Sequence, residues 1–170
     1  LVTAGSQQAT FLSLRSVVAA GDLTLVEDPS YRGGLEVLRT LGARIEGLRT
    51  TPKGLDLELF ARAASRRPTA LYCQTSIHNP TGQTMAARAR AELSGLIAEH
   101  EILTIEDCCS YDLTLQGPPA ATLAGLVDPE LLISVGTLSK LFWGGLRIGW
   151  VRASPSRIRQ LLELRKVEDL

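Results

Sequence analysis

The sequence has no excess of either charge and no long hydrophobic run, and these absences exclude several classes of protein. It carries 18 basic and 18 acidic side chains, so it offers no positive surface for nucleic acid or for an anionic membrane. No apolar stretch is long enough to span a bilayer, and the N-terminus lacks the basic and apolar segments of a secretory signal. We therefore expect a cytoplasmic protein in which this segment itself binds neither nucleic acid nor membrane.

Cysteine is also scarce, which excludes a disulfide scaffold. Only three cysteines are present, and because Cys108 and Cys109 are adjacent, no framework of disulfides can be built. Their spacing matches no zinc site either, so we predict no metal centre. What remains is a chain with 45% hydrophobic and 21% charged residues, which is the composition of one globular domain with a substantial core.

Short β-branched or apolar runs alternate with longer segments of helical period, and this alternation predicts an α/β fold. Helices are predicted at 6–20, 32–41, 56–66, 85–99 and 156–168. Strands are predicted at 23–27, 43–48, 70–74, 102–106, 131–136 and 147–151, with the end of a further strand at 1–5. The last two strands lie only about ten residues apart, too few for a helical crossover. We therefore expect a three-layer α/β/α domain with a mainly parallel sheet and one antiparallel strand.

In sheets of this kind, ligands bind beyond the carboxyl ends of the strands. The residues that could carry chemistry fall at those ends repeatedly. Their positions are 5–6, 28–31, 79–82, 107 and 137–140. This clustering predicts one shared site.

Gly5, Ser6 and Gln7 open a predicted helix directly after a strand. This placement gathers free backbone N–H groups, a hydroxyl and the positive end of the helix around one point, as in a phosphate cup. From these residues alone, a simple helix cap remains an alternative. The Gly-x-x-x-x-Gly-Lys and Gly-x-Gly-x-x-Gly patterns are both absent, so the phosphate belongs to neither a P-loop nucleotide nor a dinucleotide.

Lys140 precedes Arg147 by seven residues, across a glycine turn embedded in apolar residues. We expect an apolar pocket and a nearby cation to disfavour the charged amine and make it a nucleophile for an aldehyde. Arg147 can hold a phosphate dianion with its planar guanidinium. Either residue alone would be read as a solvated lysine or a structural arginine, whereas the joined pattern favours a site.

Three further residues suit a planar cofactor. Asp107 follows an apolar strand, where its carboxylate can pair with a cationic ring nitrogen, although such an aspartate is often only a cap. Asn79 lies in a rigid turn and could offer its amide to a phenolic oxygen. Tyr31 can lay its ring against an aromatic cofactor. We interpret His78 and His100 as structural.

Together these residues resemble the large domain of the fold-type I aminotransferases of class I/II, nearly from end to end. The motifs Gly-Ser-Gln-Gln, Glu-Asp-Pro-Ser-Tyr, Asn-Pro-Thr-Gly, Glu-Asp, and Ser-Lys with a later arginine occur in the family's order. The resemblance implies pyridoxal 5'-phosphate as the cofactor, Lys140 as the residue of the internal aldimine and Asp107 as the partner of the pyridine nitrogen. The implied cofactor-binding set is Gly5, Ser6, Gln7, Tyr31, Asn79, Asp107, Thr137, Lys140 and Arg147.

The segment 136–150 is most similar to the aminotransferase-like domains of MocR-type regulators, which follow a GntR-type winged helix. Two functions therefore stay open: transamination of an amino acid with a 2-oxo acid, or effector sensing by a transcriptional regulator. The resemblance also implies a homodimer, and an N-terminal arm and a C-terminal small domain outside this chain. One position departs from the family, since Ser110 stands where a tyrosine is usual and Tyr111 comes one residue later.

Overall fold

One eight-stranded sheet organises residues 1–119 and 121–168, which are the part of the chain that the computed structural model describes. Strands β1 to β8 are Val2–Thr3, Leu23–Asp28, Arg44–Thr51, Gly54–Leu55, Ala70–Cys73, Leu103–Asp107, Leu132–Thr137 and Gly149–Arg152. Helices α1 to α5 are Ser6–Arg15, Arg32–Thr40, Leu57–Ala64, Ala87–His100 and Pro155–Glu168. Across the sheet, the strand order is β1-β8-β7-β6-β5-β2-β3-β4.

The sheet is mainly parallel, as the sequence predicts. Strands β2, β3, β5, β6 and β7 pair in parallel, whereas β8 runs antiparallel to both β7 and β1. Strand β8 is thus the predicted antiparallel strand. The two-residue β4 pairs antiparallel with β3 and escapes the sequence pattern, because two residues are too few to show a period.

Helices cover both faces of the sheet and complete the predicted three layers. Helices α1, α2 and α5 bury residues such as Leu12, Val37 and Leu161 in one core cluster on one face. Helices α3 and α4 contribute Phe60 and Leu93 to a second cluster on the other face. The parallel strands are buried from both sides, so their carboxyl ends are the accessible edge for a ligand.

Helix α1 ends at Arg15, five residues before the predicted end. The Ser16 hydroxyl donates to Ser13 O at 2.7 Å and so competes with the helical hydrogen bonds. Asp22 then accepts from the Ala19 N–H at 2.8 Å and closes the following turn. Local side-chain bonding therefore overrides a pattern of residues that otherwise favours a longer helix.

Residues 1–119 and 121–168 contain neither a membrane-spanning helix nor a cluster of metal ligands. No helix in these ranges combines the length and the apolar character that crossing a bilayer requires. The same residues contain no group of three or more His, Cys, Asp or Glu side chains that could hold a metal ion.

Candidate cofactor site

The N-terminus of α1 points to the carboxyl edge of the sheet without a capping side chain. Gly5 precedes the helix with φ 84°, and no side chain accepts a hydrogen bond there as a cap. The first backbone N–H groups and the positive helix end are therefore available to an anion. The structure thus places Gly5, Ser6 and Gln7 at an uncapped helix end.

Arg147 reaches this helix end from the far end of the chain. Its Nη2 donates to Ala4 O at 3.1 Å, and a Cβ on Gly5 would lie only 2.6 Å from that nitrogen. A Cβ on Gly149 would likewise lie 2.4 Å from the carbonyl carbon of Gly5. The two glycines thus allow the guanidinium and the helix end to meet, at the place where the sequence predicts a phosphate cup.

Two residues of the implied cofactor-binding set, Thr137 and Gln7, make side-chain hydrogen bonds within the chain. The Thr137 hydroxyl donates to Ile148 O at 3.1 Å and accepts from the Ser139 N–H at 3.2 Å. Gln7 Nε2 donates to Gly33 O at 3.3 Å, and its Oε1 accepts from the Tyr31 hydroxyl at 3.4 Å. Thr137 therefore orders the loop that carries Lys140, and Gln7 uses one of its two amide N–H groups to hold the start of α2.

Five of the predicted residues line one cavity of about 50 Å³ that opens toward solvent beside Lys140. They are Ser6, Tyr31, Asn79, Asp107 and Lys140, and Gln74, Cys109 and Ser110 complete the wall. Larger cavities, of about 390, 590 and 380 Å³, open elsewhere and are lined by none of these eight residues. The convergence of side chains, rather than the enclosed volume, marks the site.

Asp107 is the most firmly held residue of the cavity. It is buried at the end of β6, where its Oδ2 accepts from the Tyr72 hydroxyl at 2.7 Å and its Oδ1 accepts from the Cys109 N–H at 2.9 Å. The sequence points to Asp107 but not to Tyr72, since a tyrosine within an apolar strand looks like a core residue.

A second buried group lies behind the Asn79 turn. Glu27 Oε2 accepts from the Gln74 N–H at 2.8 Å and lies 3.4 Å from His78 Nε2. Burial, with smaller contributions from Asp107 and Glu106, raises the pKa of Glu27 to about 8. Burial also lowers the pKa of His78, so at neutral pH Glu27 is mostly protonated and His78 is neutral.

Gln74 connects this buried pair to the site. Its side-chain Oε1 accepts from the Asn79 N–H at 2.9 Å, so the turn that presents Asn79 is fixed from below. Sequence analysis misses Gln74, although a polar residue at the end of an apolar strand is the signal that could identify it. His78 is buried and bonded to Thr81 across the same turn, which agrees with its interpretation as structural.

Glu106 points away from the cavity, unlike its neighbour Asp107. Its carboxylate accepts from the Leu123 N–H at 3.0 Å and from the Thr75 hydroxyl. Burial raises the pKa of Glu106, while these hydrogen bonds oppose the shift. Of the Glu-Asp motif, only the aspartate belongs to the site.

Lys140 does not lie in an apolar pocket of this chain, so the expected enclosure is wrong for the chain by itself. Lys140 is exposed, and Phe142 and Trp143 are 73% and 69% exposed. The reason is local, because β7 ends at Thr137 and the residues from 141 to 148 are all exposed. The apolar residues beside Lys140 form an open surface.

Ser110 and Tyr111 occupy different environments. Ser110 lines the cavity with Asn79 and Lys140, whereas Tyr111 lines a separate cavity with Thr122 and Trp150. Tyr111 therefore does not replace the tyrosine that the family usually has at position 110. The site offers a serine hydroxyl in its place.

An uncapped helix end with an arginine beside it, a buried aspartate and a lysine lie at the carboxyl edge of a mainly parallel sheet. This edge is where α/β domains of this kind bind their ligands. The family model for aminotransferase class I and II matches residues 1–167. The chain belongs to this family.

Curated relatives include both enzymes and regulators. The chain is 27% identical to aromatic-amino-acid aminotransferase 1 of Thermococcus litoralis and 30% identical to 2-aminoadipate transaminase of Thermus thermophilus. All of this chain is matched, but only 42% and 44% of those proteins. An uncharacterized HTH-type transcriptional regulator of Bacillus subtilis, YisV, is 29% identical over 99% of this chain and 35% of its own length. The chain thus spans less than half the length of these relatives.

Solved structures agree with the fold. The multiple substrate aminotransferase from Thermococcus profundus superposes with a TM-score of 0.94 at 30% identity, over 100% of this chain and 44% of that one. The α-aminoadipate aminotransferase from Thermus thermophilus, complexed with N-(5'-phosphopyridoxyl)-L-leucine, gives a TM-score of 0.93 at 30% identity, over 100% and 45%. The fold is that of the large domain of these transferases.

Proposed function

We propose that this chain binds pyridoxal 5'-phosphate and that the protein at its full natural length transfers an amino group between an amino acid and a 2-oxo acid. The observation that carries this proposal is the fixed carboxylate of Asp107 in the same cavity as the amine of Lys140. The family relationship supports the reaction class. The identity of the amino acid lies outside what these residues define.

The donor set of the site fits this cofactor. A phosphate ester needs several N–H donors and positive charge, which the uncapped end of α1 and the guanidinium of Arg147 supply. Because Gly5 has no Cβ, the guanidinium can occupy the space beside the helix end. A pyridine ring needs a carboxylate for its nitrogen and a donor for its phenolic oxygen, and Asp107 and Asn79 provide them.

When bound, the cofactor supplies an aldehyde for an amine and a ring that accepts electrons. The residues of this chain would do the rest. Lys140 would supply the amine, and its exposed side chain would carry a proton to and from the substrate carbon. Asp107 would hold a proton on the ring nitrogen, Asn79 and Ser110 would bind the ring oxygen, and Tyr31 would contact the ring.

We further infer a homodimer in the cytoplasm. The apolar side chains of Phe142 and Trp143 are not buried by any of residues 1–119 and 121–168. Contact with a second subunit would bury them. The cysteines Cys73, Cys108 and Cys109 are free, as thiols usually are in the reducing cytoplasm.

Attachment of the cofactor to Lys140 is the test of this function. The full-length protein is incubated with pyridoxal 5'-phosphate and reduced with borohydride, and the labelled peptide is identified by mass spectrometry. We expect the label on Lys140, and none on the exposed Lys53 and Lys166, which serve as internal controls. Lys140→Ala should lose the label but still bind the cofactor through the phosphate cup. A label confined to Lys53 or Lys166 would refute the assignment.

Effector sensing by a transcriptional regulator is a second candidate function, because several relatives are HTH-type regulators. Effector sensing would use the same cofactor site as amino-group transfer. The two functions therefore differ only in the activity of the full-length protein. Amino-group transfer to 2-oxo acids without DNA binding would identify an enzyme. Cofactor-dependent binding to DNA upstream of its own gene, with slow or no transfer, would identify a regulator.

A further inference from the structure

Tyr72 is buried at the centre of the sheet, and its hydroxyl has a carboxylate as its partner. The residue lies in β5 with no exposed surface, and its hydroxyl donates to Asp107 Oδ2 at 2.7 Å. Burial raises the pKa of Tyr72 well above its ordinary value, and the negative charge and hydrogen bond of Asp107 add to this shift. The phenol therefore keeps its proton and acts as a permanent donor.

Gly34 makes room for this tyrosine. A Cβ at position 34 would lie 2.6 Å from Cε1 and Cζ of the Tyr72 ring and 2.9 Å from its hydroxyl oxygen. Helix α2 thus carries a glycine where the ring crosses it, and the ring passes beneath the helix to reach Asp107. The Tyr72 ring is therefore held between the backbone of α2 at Gly34 and the carboxylate of Asp107.

Asp107 lies near two other buried carboxyl groups, since its charge and that of Glu106 both act to raise the pKa of Glu27. Each of its own oxygens has a donor: the Tyr72 hydroxyl donates to Oδ2 and the Cys109 N–H donates to Oδ1. The Cys109 side chain interacts with the same carboxylate. The orientation of Asp107 therefore depends on these contacts.

We propose that Tyr72 is a positioning residue for Asp107: its hydroxyl fixes the orientation of the carboxylate. Asp107 can then hold a proton on the ring nitrogen of the cofactor. This inference rests on the proposed function, because it concerns what Asp107 does for a bound ring. Tyr72 itself lies behind Asp107 and is not among the residues that line the cavity.

The hydrogen bond can be tested without the cofactor. In the full-length apo-protein, the Tyr72 hydroxyl proton should exchange slowly with water and give a separate low-field NMR resonance. That resonance should disappear in Tyr72→Phe and move in Asp107→Asn. Its presence with the same shift in both the wild type and Asp107→Asn would overturn the assigned bond.

The effect on the ring is tested with ¹⁵N-labelled pyridoxal 5'-phosphate in the loaded protein. Tyr72→Phe keeps the ring and the packing but removes the donor, so we expect the pyridine ¹⁵N resonance to move toward the position of an unprotonated nitrogen. We also expect kcat to fall about tenfold with KM little changed, which is typical of losing one hydrogen bond to a charged group. Tyr111→Phe is the matched control and should leave both values unchanged, since Tyr111 lines a different cavity.

The outcomes separate the two proposals. A wild-type ¹⁵N shift and kcat in Tyr72→Phe, with altered values in Asp107→Asn, would overturn the role of Tyr72 and leave that of Asp107 intact. Wild-type values in both variants would refute the role of Asp107 and, with it, the inference. Gly34→Ala provides a second route, because it displaces the ring without removing the hydroxyl, and it should shift the ¹⁵N resonance in the same direction.

Discussion

Arg147 approaches Gly5 so closely that only a glycine fits at position 5 without displacing the guanidinium. A Cβ on Gly5 would lie 2.6 Å from Arg147 Nη2 and 2.9 Å from its Cζ. Arg147 in turn holds the left-handed conformation, with φ 52°, which is uncommon for a residue with a side chain. The helix end and the guanidinium are thus arranged around each other, with no side chain between them.

Gly5→Ala should therefore weaken cofactor binding by displacing Arg147. We expect the Kd of pyridoxal 5'-phosphate to rise about tenfold or more, the usual effect of losing a charge-assisted contact. Gly21→Ala is the control, because Gly21 has a similar φ of 88° but no atom within 4 Å of its Cβ position. It carries the same backbone strain away from the site. Equal Kd values for the two variants would mean that strain, and not Arg147, explains the effect.

Asp107→Asn should separate catalysis from binding. The amide keeps the shape of the side chain but lacks the charge that holds a proton on a ring nitrogen, so kcat should fall about a hundredfold or more. The affinity for the cofactor should change far less, because the phosphate cup remains. Steady-state kinetics and spectroscopic titration measure the two effects. Asp112→Asn, in an exposed loop, should behave like the wild type.

The buried carboxyl of Glu27 predicts a pH dependence of stability. Its pKa rises from 4.5 to about 8 in the folded chain, so the folded state binds this proton more tightly than the unfolded state does. The proton on Glu27 therefore contributes fully to the stability of the folded state below pH 4.5, and this contribution is lost as the pH rises through about 8. Thermal unfolding should show Glu27→Gln gaining stability relative to the wild type across this window, by an amount on the order of a few kcal/mol.

A control and a contrary outcome define this test. Glu99→Gln removes an exposed carboxylate of α4, and its stability should run parallel to that of the wild type at every pH. If the wild type and Glu27→Gln also ran parallel between pH 4.5 and 8, Glu27 would not carry the shifted proton.

The open apolar surface at Phe142 and Trp143 predicts the behaviour of the 170 residues taken alone. Lys140 beside it is not enclosed, and precise positioning of the reacting groups contributes much of an enzyme's rate. We expect this chain to bind a hydrophobic dye and to show no transaminase turnover. Replacing Phe142 and Trp143 with serine should reduce dye binding without creating activity. Robust turnover of common amino-acid and 2-oxo-acid pairs by the isolated chain would contradict this expectation.

The sequence predicts the location of the site well because strand ends are visible in it. Apolar runs locate the parallel strands, and whatever polar residue follows each run must lie at one edge, as Ser6, Asn79 and Asp107 do. The motif order then identifies the family. Nothing more than alternation and turn residues is needed for this part of the fold.

The residues that support the site are harder to predict. Tyr72 lies within an apolar strand, and its bond to Asp107 depends on the register of β5 and β6, which the sequence leaves open. The exposure of Lys140 is also hard to predict. Apolar neighbours usually indicate burial, but the apolar residues beside Lys140 are themselves exposed. Both cases depend on packing between segments distant in the chain.

The pairing of β1 with β8 joins two segments that are far apart in the sequence. Arg147 donates to Ala4 O across 143 residues, and the backbone nitrogen of Leu1 donates to Val151 O at 2.9 Å. Bringing such distant segments together costs the chain the entropy of closing a very long loop. A phosphate bound between the start of α1 and Arg147 would contact both segments, so its binding energy would offset part of that entropy and stabilise the folded state.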